Sequence, residues 1–125
     1  MKIKDVMKKA VAIEKDVSLR EAAKIMTQNN IGSLVVVSKE NIRGIVTEKD
    51  ITAHAGDLSK KVSGVMAKNT ITIDEDDEMS NAAELMAKNK IKHLPVLRGD
   101  KLCGIITASD LLESPEDIDD DFAFE

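Results

Sequence analysis

Apolar residues follow two rhythms along the chain. Leu19, Ala22, Ala23, Ile25 and Met26 fall at the 3.6-residue spacing that lines one face of a helix. Ser18-Leu19-Arg20-Glu21 just before them has the form of a capping box, in which a serine hydroxyl and a glutamate satisfy amide donors at a helix start. The pattern predicts a helix that opens at Ser18 and closes at Asn29-Asn30. On either side the rhythm shortens. Ala10–Ile13 is a brief β-prone run and Glu14–Val17 a turn; Ser33–Val37 is a continuous apolar strand, Ser38–Asn41 a turn, and Ile42–Val46 the returning strand, which leads into a second helix.

The same order returns sixty residues later. Val11-Ala12-Ile13, Ala22-Ala23, Ile25-Met26 and Gly44–Asp50 have counterparts in Ile71-Thr72-Ile73, Ala82-Ala83, Leu85-Met86 and Gly104–Asp110. The second copy predicts a strand over Thr70–Ile73, a helix from about Asp77 to Asn89, a strand His93–Leu97, a Gly99-Asp100 turn and a strand Lys101–Ile106. Glu78 stands where the first copy has its serine cap, which leaves Asp76 or Asp77 to cap the second long helix. A period near sixty is too long for a helical solenoid and too short for two independent domains. It predicts an α/β fold of two interlocked βαββα repeats, about 1–56 and 57–113, with Gly56–Gly64 as linker. A pseudo-twofold axis would relate two clefts.

Composition narrows the class. Hydrophobic residues make up 42% and charged residues 33% of the 125, as in ordinary globular proteins. No apolar run approaches eighteen residues, the start lacks a signal-peptide core, and one cysteine, Cys103, fits a reducing compartment. The expectation is a cytoplasmic protein without membrane association. The net charge of −5 comes from the end: Glu113 onward holds seven acidic residues and no basic one, while the residues before it hold 16 acidic and 18 basic. A body of nearly balanced charge has no footprint for nucleic acid. The acidic end, 114–125, carries the only aromatics, Phe122 and Phe124, and is expected to be disordered. A planar ligand would therefore be held between aliphatic side chains and backbone.

The chemistry concentrates at Gly44–Asp50 and Gly104–Asp110, where a strand runs into a helix. A threonine hydroxyl and free helix-start amides can bind phosphate oxygens, and a carboxylate one turn on can accept two hydrogen bonds from a vicinal diol. The glycine permits a close approach to the strand. The plainer reading is that Thr-x-x-Asp is only a helix cap; its recurrence at matched positions favours a binding role. Met7, Met26, Met66, Met79 and Met86 read as core filler, His54 as a helix-end residue, Cys103 as a small packed residue, and Asp74–Glu78 as a solvated turn. No nucleophilic triad or metal-spaced cluster is visible, and two histidines leave little acid–base chemistry.

Asp5-Val6-Met7 and Gly64-Val65-Met66, the Ala-Ala helices, His93-Leu94-Pro95-Val96 and both Gly-x-x-Thr-x-x-Asp ends together resemble the tandem cystathionine-β-synthase (CBS) domain family, whose pairs form a Bateman module; the resemblance covers residues 3–113. It implies two βαββα units packed sheet to sheet, association as flat homodimers, and clefts for AMP, ADP, ATP or S-adenosylmethionine. Carried over, Asp50 and Asp110 would hold ribose hydroxyls, and Thr47 and Thr107 the phosphate or polar end. Backbone around Ala10–Ala12 and Thr70–Thr72, with Leu34-Val35 and Leu94-Pro95, would frame the base. Lys92 and His93 fall where phosphate-binding members carry basic residues, whereas Gly32 and Ser33 are uncharged, so the Asp110 cleft is expected to be the better phosphate binder. The expected function is non-enzymatic: a regulatory module that senses an adenosine-containing metabolite and signals to a separate effector protein. The alternatives are a ligand-free interaction scaffold and, less favoured, a small nucleotide-hydrolysing enzyme.

Overall fold

A computed structural model of the chain describes residues 1–39 and 41–113. The acidic end expected to be disordered lies outside them. Two compact units emerge, and they cut across the repeat along the chain. A central unit spans Val11–Thr70, and a bipartite unit joins Met1–Ala10 to the chain from Ile71 onward.

In the central unit, β1 (Ala12–Ile13), β2 (Ser33–Ser38) and β3 (Asn41–Thr47) form one sheet in that order, with β1 parallel to β2 and β3 antiparallel to it. Helix α1 (Leu19–Asn29) starts as expected, the Ser18 hydroxyl accepting the Glu21 amide at 3.1 Å. It ends where Asn30 turns left-handed at φ 52, a conformation asparagine tolerates. Leu19, Ala22 and Met26 bury one face of α1 against Leu34, Val36 and Val46 of the sheet. The short α2 (Glu48–Ala53) follows β3 directly.

The expected linker is part of this core. Leu19 and Arg20 amides donate to the carbonyls of Lys60 (2.8 Å) and Leu58 (3.0 Å), so this stretch satisfies the first donors of α1. Val62, fully buried, opens a 3-10 turn and packs in the same cluster. Ala67 then exchanges two backbone hydrogen bonds with Ile45, at 3.1 and 3.0 Å.

The bipartite unit repeats the plan with β4 (Ile73–Asp74), α3 (Met79–Asn89), β5 (His93–Arg98), β6 (Lys101–Thr107) and α4 (Ala108–Glu113). Here residues 1–10 do what residues 58–67 do in the central unit. The Met79 amide donates to the Met1 carbonyl at 3.1 Å, Ile3 is fully buried beside Met79, Leu94 and Ile106, and Lys8 exchanges two 2.9 Å bonds with Ile105.

Several expectations are corrected. Neither Asp76 nor Asp77 caps α3: Glu78 holds the N-cap position without a side-chain bond, and the Met1 carbonyl meets the first helical amide instead. Asp77 accepts from the Asn81 side chain (2.8 Å), and Asp76 pairs with Lys4 at 2.9 Å. The Asp74–Glu78 run is not simply solvated, because Glu75 is buried and receives both the Nε (2.6 Å) and Nη2 (3.2 Å) of Arg98. The strand expected over Thr70–Ile73 starts at Ile73. In the first copy the Val35 amide donates to Val11 at 3.0 Å, and Pro95 at the matching position has no amide to donate. With Val96 opposite Gly104 and Leu97 opposite Leu102, Cys103 is the extra residue of a bulge, as Arg43 is in β3.

Candidate functional site

In each unit the returning strand of the hairpin ends in a threonine that begins the short helix. In the central unit the Thr47 amide and hydroxyl both donate to Oδ2 of Asp50, at 2.9 and 3.2 Å. The next amide, of Glu48, donates to the Gly32 carbonyl at 3.1 Å. Asp50 is half-buried, and its Oδ1 takes no hydrogen bond among the described residues. His54 closes the helix with Nδ1 2.9 Å from the Asp50 carbonyl oxygen, which makes it a helix-end residue as expected.

In the bipartite unit the Thr107 amide and hydroxyl donate to Oδ2 of Asp110 at 2.8 and 3.0 Å, and the Asp110 amide donates back to the Thr107 hydroxyl at 3.3 Å. The Ala108 amide donates to the Lys92 carbonyl at 3.0 Å, and His93 lies opposite Thr107 in the sheet. Lys92, His93, Thr107 and Asp110 therefore meet at one end of this unit. Asp110 is only 3% exposed, and the Lys8 ammonium lies 3.7 Å from its Oδ1.

The helix-cap reading is thus realised in both copies, and it does not exhaust the carboxylates. One oxygen of each locks the cap; the other takes no part in it, without a hydrogen bond among the described residues at Asp50 and beside the Lys8 ammonium at Asp110. The amides are a different matter. Those of Thr47, Glu48, Thr107, Ala108 and Asp110 are already bonded within the chain, so the expected set of free helix-start donors is largely spent.

The two motif glycines answer to the protein itself. A Cβ on Gly44 would stand 2.7 Å from Met66 Cγ and Sδ and 2.8 Å from the Ala67 carbonyl oxygen; on Gly104 it would stand 2.6 Å from Met7 Sδ and 3.0 Å from the Lys8 carbonyl oxygen. The close approach expected from the sequence is made by the Met7–Lys8 and Met66–Ala67 segments, and Met7 and Met66, partly buried, pack against the two cores.

The remaining expected ligand residues are distributed as follows. Ala12 and Thr70 belong to the central unit with Thr47 and Asp50; Ala10, Thr72, Leu94 and Pro95 belong to the bipartite unit. The Leu94 side chain is fully buried in the core and serves packing, and Pro95 is fully buried as well. Thr70 Oγ1 is buried without a hydrogen-bond partner among the described residues, an unmet polar demand of the kind proteins rarely leave. Lys8 was not singled out from the sequence. The signal was present, since the second copy has Ala67 where the first has this lysine.

Among the described residues no group of three or more His, Cys, Asp or Glu side chains could hold a metal ion, and no helix is long and apolar enough to cross a membrane. Burial, with Glu75 nearby, pushes the Cys103 thiol above its ordinary value of 9.0, which leaves it protonated and a poor nucleophile at neutral pH.

The model of the CBS domain matches the chain twice, over residues 3–57 and 62–117. The 17.7 kDa protein in the bps2 3′ region of Acidianus ambivalens is 36% identical over 114 residues, which are 88% of this chain and 70% of that protein. Among solved structures, the CBS domain pair of protein MJ0100 in complex with 5′-methylthioadenosine and S-adenosyl-L-methionine superposes with TM-score 0.84 at 30% identity, covering 90% of this chain and 93% of the other. The CBS domain protein PAE2072 of Pyrobaculum aerophilum, complexed with AMP, superposes with TM-score 0.87 over the whole of both chains; at 22% identity it speaks for the fold alone.

Proposed function

The chain belongs to the CBS domain family, and from that premise we propose that it is a regulatory module that binds an adenosine-containing metabolite and acts by changing the behaviour of a partner protein. The observation that carries this reading is the pair of Thr-x-x-Asp caps, each of which fixes a carboxylate through one oxygen and leaves the other outside the cap. A carboxylate so held is preorganised to accept from ribose hydroxyls, and the MJ0100 pair, 30% identical, is solved with two adenosine compounds. AMP, ADP, ATP and S-adenosylmethionine all present that ribose. Lys92 and His93 beside Thr107 favour a phosphate at the bipartite end. The reading includes a non-catalytic role, a cytoplasmic location and self-association as a homodimer. Output follows if the ligand prefers one of two arrangements of the protein.

Composition makes the first test direct. Without Trp or Tyr the protein barely absorbs at 280 nm, so co-purified adenine stands out at 260 nm. Ligand at 100 times its Kd adds about 2.7 kcal/mol of stability, read as a rise in Tm. In calorimetric titrations with AMP and S-adenosylmethionine, Asp50→Ala or Asp110→Ala should weaken binding by at least about tenfold, the loss of a charge-assisted hydrogen bond. Wild-type titrations from both variants would leave the two motifs as helix caps alone. No Tm shift with any adenosine compound would favour the ligand-free scaffold reading.

A further inference from the structure

We infer that Lys8 makes ribose recognition at Asp110 conditional on a phosphate or other anionic group in the same ligand, while Asp50 recognises the ribose unconditionally; this rests on the adenosine-binding reading above.

The argument begins with the oxygens. Oδ2 of Asp110 is spent on the Thr107 amide and hydroxyl, so a diol must use Oδ1, and the Lys8 ammonium already lies 3.7 Å from it. An uncharged nucleoside offers that ammonium nothing in exchange for the carboxylate. An anionic ligand does.

Lys8 is built for such an exchange. Its backbone is pinned to β6 by two 2.9 Å bonds with Ile105, so the stem always starts beside the motif. Its head is loosely held: the side chain is 62% exposed, and its two ion-pair distances, 3.7 Å to Asp110 and 3.8 Å to Glu113, exceed those of a direct charge-assisted hydrogen bond. The Glu113 pair is exposed on both sides and contributes little, and at 3.7 Å the ammonium makes no direct hydrogen bond to the buried Asp110, so it can turn to a stronger anion. When it turns, it frees Oδ1 for the ribose and adds its charge to that of Lys92 at the same end of the unit.

The central unit is the built-in control. Ala67 makes the same two ladder bonds with Ile45 that Lys8 makes with Ile105, yet has no charged side chain. Gly32 and Ser33 stand in place of Lys92 and His93. All three basic positions of one end are uncharged in the other, and Asp50 keeps an open Oδ1.

The test compares adenosine with AMP in calorimetric titrations of the full chain. Asp50→Ala isolates the Asp110 end, and that protein should prefer AMP over adenosine by at least about tenfold, a preference that shrinks as salt rises. Adding Lys8→Ala should pull the two affinities to within about threefold, by a gain for adenosine as well as a loss for AMP. Lys8→Met, which keeps the stem, should do the same. A tenfold preference that survives both substitutions overturns the inference. So does an Asp50→Ala protein that binds neither compound while Asp110→Ala still binds AMP, because the Asp110 end would then hold no ligand. If both aspartate variants bind as the wild type does, the caps hold no ribose and the inference is overturned although adenosine binding stands; if the wild type binds neither compound, the adenosine-binding reading fails and takes this one with it.

Discussion

Gly44–Asp50 and Gly104–Asp110 follow one seven-residue pattern and fold into one geometry, down to the two hydrogen bonds that Thr47 and Thr107 give their aspartates. They are nevertheless different sites. Asp110 is buried and faces an ammonium, whereas Asp50 is half-buried with an open oxygen. The ammonium comes from outside the motif: each unit takes a segment from elsewhere in the chain, Met1–Ala10 in one and 58–67 in the other, which places Lys8 against one strand and Ala67 against its equivalent. A repeat can thus preserve a motif while the residues packed on it set its chemistry.

These segments also anchor the folds, and truncating the anchors is the largest perturbation expected. Ile3 is fully buried in the bipartite core and Val62 in the central one. Ile3→Ala should lower the unfolding free energy by about 2–5 kcal/mol, with a smaller loss for Val62→Ala because less is removed. Chemical denaturation measures both. An Ile3→Ala protein as stable as the wild type would show that the first ten residues are accessory, and that Lys8 reaches Asp110 by chance.

The motif glycines give a smaller and ranked effect. An added Cβ at Gly44 meets a backbone carbonyl at 2.8 Å, which cannot step aside; at Gly104 the closest atom is the sulfur of a flexible methionine, and the carbonyl stands at 3.0 Å. Gly44→Ala should therefore cost more than Gly104→Ala, both on the order of 1–3 kcal/mol. The reverse order would mean that the Met7–Lys8 segment packs more rigidly than Met66–Ala67.

The smallest effect separates the units by salt. Asp16 accepts the Ser63 hydroxyl (2.6 Å) and amide (3.0 Å) in the central unit; in the bipartite unit the equivalent Asp76 pairs with Lys4 at 2.9 Å. Both carboxyls are held below their ordinary value of 3.8, Asp16 by the Ser63 hydroxyl first and Asp76 by its bond to Lys4. Such a group stabilises fully above its unfolded value and loses that contribution as pH falls through its lower folded value. The Tm gap between wild type and either Asp16→Asn or Asp76→Asn should be level at neutral pH and close below pH 3.8. In 1 M salt, where the screening length falls to about 3 Å, only the Asp76→Asn gap should shrink. Equal salt sensitivity would show that the Lys4 charge is not what holds Asp76.

Much of this was legible in the sequence because it is local. The Ser18 cap, the Asn30 stop, the Gly99 turn at φ +62, both hairpins and the Thr-x-x-Asp pairs each depend on residues within a few positions of one another. The periodicity of α1 and the apolar runs of β2 and β5 likewise fixed which faces are buried. Tertiary structure decided what contacts remote in sequence decide. The Met1 carbonyl, not a side chain next to the helix, satisfies the first amide of α3; the linker became core because the first amides of α1 needed the carbonyls of Leu58 and Lys60. Glu75 left solvent for Arg98, twenty-three residues on. The inequality of the two sites has the same origin. Lys8 lies about a hundred residues from Asp110 along the chain, and only the exchange of backbone hydrogen bonds with Ile105 brings an ammonium to the one carboxylate oxygen that the cap leaves over.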